Sequence, residues 1–179
     1  MKQKVLTAIF FLLLFFLIPP AFYFLNSQPV ILNQEKIEYN LPYPGILPDH
    51  PLFIIKRVRD KVLEFTTRDN SKKAELYLLL SDKRAAMAME MMKKGKDKLA
   101  VISLKQSEEY FSKIPSSIEI AKKQGASATS DFILRLKLSN AKHKEVGETL
   151  LKDLPQGQNE EVNTILKVNQ GSKKKIEKL

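Results

Sequence analysis

The sequence contains no cysteine, no tryptophan, two histidines and six glycines. Without cysteine there is no disulfide framework, no thiolate metal site and no lipid-modified cysteine anchor. The histidines, His50 and His143, do not fall in an H-E-x-x-H spacing or a similar metal pattern. They leave few routes to nucleophilic catalysis. Little glycine, and no alternating run followed by turn chemistry, argues against a β-sandwich or barrel. Charge is missing altogether from Val5 to Leu25.

That uncharged run is the most informative stretch. Its 21 residues would span roughly 31 Å as a helix, about one hydrocarbon core. Lys2 and Lys4 precede it and favour an N-terminus held in the cytoplasm. The sequence therefore predicts a transmembrane anchor over 1–25, with the bilayer as its first partner. A cleaved signal peptide is the alternative, because residues 5–18 also suit an apolar h-region. No small-x-small cleavage site follows: Ala21 has Pro19 two residues before it, and Ser27 has Leu25. Either reading places the rest of the chain outside the cytoplasm, tethered in the first case and secreted in the second.

Residues 26–50 read as a proline-containing stalk. Pro29, Pro42, Pro44 and Pro48 each withhold an amide donor and push the preceding residue towards extended geometry. Asp49 is expected to cap the first helix, with Pro51 in its first turn. A helical bundle domain is expected over 51–169. Its first helix covers about 51–66, with Leu52, Ile55, Val58, Val62, Leu63 and Phe65 on one broad face and Arg57, Asp60, Lys61 and Glu64 opposite. A second helix covers 71–94, capped by Asn70 or Ser71 and stopped by Gly95; Lys83 falls on its solvent side. A third covers 97–114, and the two-residue connection forces an antiparallel hairpin. A shorter piece over 116–124, a long helix over 131–154 and a last short helix over 159–169 follow. Residues 170–179 read as a basic, frayed tail. The fold class is all-α: an up-and-down bundle of four to five helices behind an anchor and a stalk.

Two features of the bundle could carry chemistry. Met87, Met89, Met91 and Met92 are dense, but with no Cys or His beside them they read as packing rather than a copper(I) site. The second feature is a set of polar residues that interrupt apolar stripes: Ser81 and Arg84 on the second helix, Ser103 and Ser107 on the third, Asn140 and His143 on the long one. A buried Arg needs a partner, and Asp60 and Glu64 are the nearest acids on the preceding helix. The seam is either a structural network or a ligand pocket. Glu108-Glu109 and Glu160-Glu161 are adjacent, point about 100° apart on a helix, and read as solvated. No nucleophile–base–orienter set is present, so no enzyme and no cofactor are expected. The net charge of +10 comes without a basic stripe interleaved with aromatics, so no nucleic-acid partner is expected.

From Leu41 to Arg57 the chain reads LPYPGILPDHPLFIIKR, followed by KAELY over 73–77 and the pair Lys83-Arg84. This pattern, with HKEVGETLLKDLP over 143–155, resembles an uncharacterised bacterial family of single-span membrane proteins that carry a domain of unknown function. Phe53 and Ser81 stand where the family pattern has Tyr and Ala. The resemblance implies a membrane location and a helical fold, and it supplies no reaction, ligand or functional residue. Together these features predict a membrane-tethered, extracytoplasmic interaction or adaptor module for an envelope protein partner. The alternative is an extracytoplasmic sensor of a small ligand or metal ion.

Overall fold

The computed structural model describes residues 39–154 and 156–179. The expected anchor and the first part of the expected stalk lie outside the described residues. Among the described residues there are six α-helices and no strand: α1 (Phe53–Thr66), α2 (Asn70–Lys93), α3 (Asp97–Phe111), α4 (Ile114–Lys123), α5 (Ser130–Asp153) and α6 (Asn159–Ile176), with a 3₁₀ turn at Gln156–Gln158 before α6. No helix among them is long and apolar enough to cross a membrane.

The chain order follows from local chemistry. Asp69, rather than Asn70 or Ser71, caps α2, its carboxylate accepting the Lys72 N–H at 2.8 Å. Gly95 (φ +65°) ends α2 in the left-handed region. Its N–H reaches the Met92 carbonyl and the Lys96 N–H the Met91 carbonyl, at 2.8 and 2.9 Å. Pro115 cannot continue the ladder of α3, so the helix breaks at Ser112–Lys113 and restarts as α4. Even so, α3 and α4 run as one bent arm antiparallel to α2. The Ser107 hydroxyl bonds the Ser81 carbonyl, and Asn70 bonds Gln124. α5 and α6 form a second antiparallel pair, tied by reciprocal bonds between Asn140 and Asn169. Gly147 permits their close approach: a Cβ there would lie 2.6 Å from Leu166 Cδ2. α2, α3, α5 and α6 make the bundle, α4 extends it, and α1 lies outside against α2.

The interior is divided into three layers along the helix axes. One apolar cluster joins Tyr77 and Leu78 of α2, Phe111 of α3, Ile114 and Ile118 of α4, Phe132 and Leu136 of α5 and Ile176 of α6. Another joins Ala88 and Met91 of α2, Ala100 and Leu104 of α3, Val146 and Leu150 of α5 and Val162 and Ile165 of α6. Between them every long helix contributes polar residues that are buried: Ser81 and Asp82, Ser107 and Glu108, Ser139, Asn140 and His143, Asn169 and Ser172.

Several expectations are corrected. Residues 39–50 are not free stalk: Leu41 and Leu47 pack on the second cluster, and Asp49 pairs with Lys94 and Lys96 at 3.1 and 2.8 Å. Asp49 therefore does not cap α1, whose N-cap, Leu52, has no side-chain bond. The tail does not begin at residue 170. α6 continues to Ile176, because Ser172 and Ile176 follow Val162, Ile165 and Asn169 onto its buried face. Lys83 is buried, not on the solvent side. The methionines lie in or against the core, Met87 and Met91 fully buried and Met89 and Met92 packed on the second cluster. Joint replacement of Met89, Met91 and Met92 by Leu should leave urea stability within about 1.5 kcal/mol of the parent, as volume-conserving swaps do. A larger loss would show that thioether flexibility matters to the packing.

Candidate functional site

Two buried polar centres and one exposed face stand out. The first centre is the middle layer of the bundle. His143 sits between two carboxylates, with Nε2 3.0 Å from Asp82 Oδ1 and Nδ1 3.2 Å from Glu108 Oε1. Asp82 also accepts the hydroxyls of Ser139 (2.5 Å, Oδ1) and Tyr39 (2.5 Å, Oδ2). Glu108 Oε1 accepts Asn169 Nδ2 at 3.1 Å, while Glu108 Oε2 is buried with no partner among the described residues. Ser107 Oγ lies 3.2 Å from His143 Nδ1. The Phe111 ring meets the imidazole edge-on, with centroids 5.3 Å apart.

Burial alone would push the imidazole towards neutrality, but the hydrogen bonds to Asp82 and Glu108 outweigh it and raise the His143 pKa to about 9. At neutral pH the group is therefore an imidazolium donating both N–H groups. Burial and the adjacent Asp82 carboxylate raise the Tyr39 phenol, so it stays protonated as a donor. With both nitrogens of His143 engaged, neither is open to a metal. Among the described residues no group of three or more His, Asp or Glu side chains is placed to hold one.

The second centre lies between α1 and α2. Arg84 Nη2 contacts Asp60 Oδ2 at 3.0 Å, Arg59 Nη2 contacts Asp60 Oδ1 at 2.7 Å, and Arg84 Nη1 points at Met87 Sδ, 3.7 Å away. The guanidinium stacks over Phe53, 4.9 Å from the ring centre. One turn before Asp60, the buried Lys56 ammonium donates to the carbonyls of Pro44 and Ile46. Burial lowers its pKa to about 7, with Asp60 opposing the shift. One turn after, Glu64 accepts from Lys113, Lys61 and Tyr77 at 2.6, 2.9 and 3.1 Å. Its partial burial favours the neutral form, yet these donors hold it down at about 2.

Lys56, Asp60 and Glu64 recur every four residues, so they form the inward stripe of α1. This corrects the expectation from the sequence: of the four residues expected opposite the apolar face, Asp60 and Glu64 turn inward, while Arg57 and Lys61 stay exposed. The apolar stripe faces outward: Phe65 is 86% exposed and Ile54 69%, with Ile55, Val58 and Val62 also exposed. A groove of about 670 Å³ runs beside it, lined by Ile54, Val58, Val62 and Phe65 on α1 and by Tyr110 and Lys113 across from it.

The six polar residues singled out in the sequence divide between these places. Ser107, His143 and Asn140 join the middle layer, and Ser81 supplies its carbonyl to Ser107 while its own hydroxyl bonds back to Leu78. Arg84 belongs to the α1 centre. Ser103 only bonds back to the Leu99 carbonyl and joins neither. Asp82, Glu108, Ser139, Asn169 and Tyr39 complete the middle layer and were not read as part of it. Glu108 is buried and its neighbour Glu109 exposed, so the 100° step per residue that made the pair look solvated is also what separates them.

No curated protein and no solved structure matches the chain. Residues 45–179, most of the chain, match the model of a family described as Domain of unknown function (DUF5667).

Proposed function

We propose that this chain, which belongs to the DUF5667 family of unknown function, is a membrane-tethered extracytoplasmic module that works by docking and not by catalysis. The observation that carries this reading is the orientation of α1. A helix on a soluble bundle ordinarily buries its apolar stripe. Here that stripe is outside, and ion pairs and hydrogen bonds hold the helix down from within. Contiguous exposed apolar surface of this kind marks an interaction site. The tether comes from the sequence: Lys2 and Lys4 followed by 21 uncharged residues. The buried middle layer supports a non-catalytic reading too, because its imidazole and carboxylates are spent on one another inside the bundle.

The tether and its direction are tested together. A phosphatase reporter fused after Leu179 should be active when made in cells, because the basic N-terminus keeps that end inside. Intact mass of the native protein should retain the residues up to Leu25. An inactive reporter would overturn the location, and a mature start near Gln28 would overturn the anchor while leaving export intact.

A further inference from the structure

The outward half of α1 has a chemistry that selects its partner. At about 100° per residue, Ile54, Phe65, Val58, Val62 and Ile55 fall within an arc of about 100°. Arg57 and Lys61 border that arc on one side and the half-buried Arg59 on the other. Both acids of the helix, Asp60 and Glu64, are turned inward and held there by Arg84, Arg59, Lys61 and Lys113. The exposed side of α1 therefore offers apolar side chains rimmed by cations and no acid; across the groove, Glu109 is the single acid among the described residues that line it.

We propose that this face docks on the anionic surface of a lipid bilayer, laying α1 in the plane of the headgroups. An apolar arc with flanking Lys and Arg is what an interfacial helix needs: the apolar residues enter the acyl boundary and the cations stay among the phosphates. A second copy of the chain fits less well. Pairing α1 with α1 would set cations against cations with no acid between them. The bilayer is also the surface in constant reach. Thirteen residues separate Leu25 from Tyr39, a leash of at most about 50 Å at 3.3–3.6 Å per residue. Binding within that leash is intramolecular, so a modest affinity suffices. The proposal rests on the tethered reading for this proximity; the chemistry of the face does not depend on it.

The chain has no tryptophan, so Val58→Trp places a single fluorophore at the centre of the exposed arc. The full-length protein is reconstituted in vesicles of phosphatidylcholine alone or mixed with phosphatidylglycerol. In the anionic vesicles the introduced indole should emit to the blue and be quenched by brominated acyl chains, and Arg57→Glu or raised salt should reverse both effects. Arg57 and Val58 are exposed, so neither substitution threatens the fold. A chain that floats with the vesicles while its indole stays unquenched overturns the docking proposal. A chain that fails to float overturns the tether instead. Quenching that is equal in neutral vesicles overturns the anionic requirement. A blue shift that grows with protein concentration without quenching by bromolipid identifies a second copy as the occupant and also overturns it.

Discussion

Replacing His143 by Leu should destabilise the folded domain by about 4 kcal/mol, the scale for removing one member of a buried ionic group. The imidazolium is the cation between Asp82 and Glu108, and all three side chains are buried. Leu fills the volume but leaves two carboxylates in the interior without it, and Glu108 already carries one oxygen with no partner among the described residues. His143→Gln should cost less, because its amide still donates to one of them.

The effect should also depend on pH, in a definite direction. The folded-state pKa of His143, about 9, is raised above its ordinary value of 6.5. The stabilisation is therefore fully present below about pH 6.5 and is lost as pH rises through about 9. Lys56 works in the opposite sense. Burial holds its pKa near 7 instead of 10.5, so the folded state gains stability as pH rises between those values. Unfolding of the parent protein alone reports the sum. The gap in urea midpoint between the parent and His143→Gln isolates the histidine, and it should be widest below about pH 6.5, narrow progressively between about pH 6.5 and 9, and be smallest above that. A gap that stays constant over that range would mean that His143 is held by shape and not by charge.

Why the sequence disclosed some of this and not the rest follows from how each feature is written in it. The helices were legible because their punctuation is local: Gly95 after α2, Pro115 at the break after α3, Pro155 after α5. Even so, α6 was cut short. Gly171 and three consecutive lysines looked like a frayed end and hid the spacing Ile165, Asn169, Ser172, Ile176. The seam residues Ser107, Asn140 and His143 were visible as polar interruptions of apolar stripes. Their acidic partners were not, because Asp82 stands beside Lys83 and Glu108 beside Glu109, and a charge in a charged neighbourhood reads as solvent-facing. Only the packing of four helices makes those neighbours diverge.

α1 departs furthest from what its sequence pattern predicts. Of its expected ionic side only Asp60 and Glu64 turn inward, joined by Lys56; Arg57 and Lys61 stay exposed, Leu63 of the expected apolar side is half-buried, and most of the apolar stripe lies outside. A helical wheel has no absolute direction; the rule that apolar faces turn inward supplies it. That rule presumes an unfilled core. Here α2 to α6 already close the apolar clusters, and what α2 and the α3–α4 break present to α1 is Arg84, the Tyr77 hydroxyl and Lys113. The complementary side of α1 is the one with Asp60 and Glu64.

Removing Arg84 should consequently loosen the attachment of α1 as well as the bundle beneath it. Arg84 is 3% exposed, and its guanidinium is fixed by Asp60 on one side, the Phe53 ring above and Met87 Sδ behind. Arg84→Ala leaves Asp60 buried with Arg59 as its remaining close cation, and strips the support from Phe53. A loss of roughly 3 kcal/mol is expected, towards the lower end for orphaning a buried charge because Arg59 still reaches Asp60. Arg84→Lys should recover only part of it, since an ammonium cannot contact the carboxylate, the ring and the thioether in one plane. Lys83→Ala is no control, Lys83 being buried as well. The exposed Lys72 is the proper one, and Lys72→Ala should cost under about 0.5 kcal/mol. Hydrogen exchange separates the two levels of the effect. If Arg84 anchors α1, the amides of Phe53–Thr66 should lose protection in Arg84→Ala before those of α2, α3 and α5 do. Uniform loss across all helices would place Arg84 in the common core, and equal small effects of Arg84→Ala and Lys72→Ala would mean that the pair with Asp60 contributes nothing measurable.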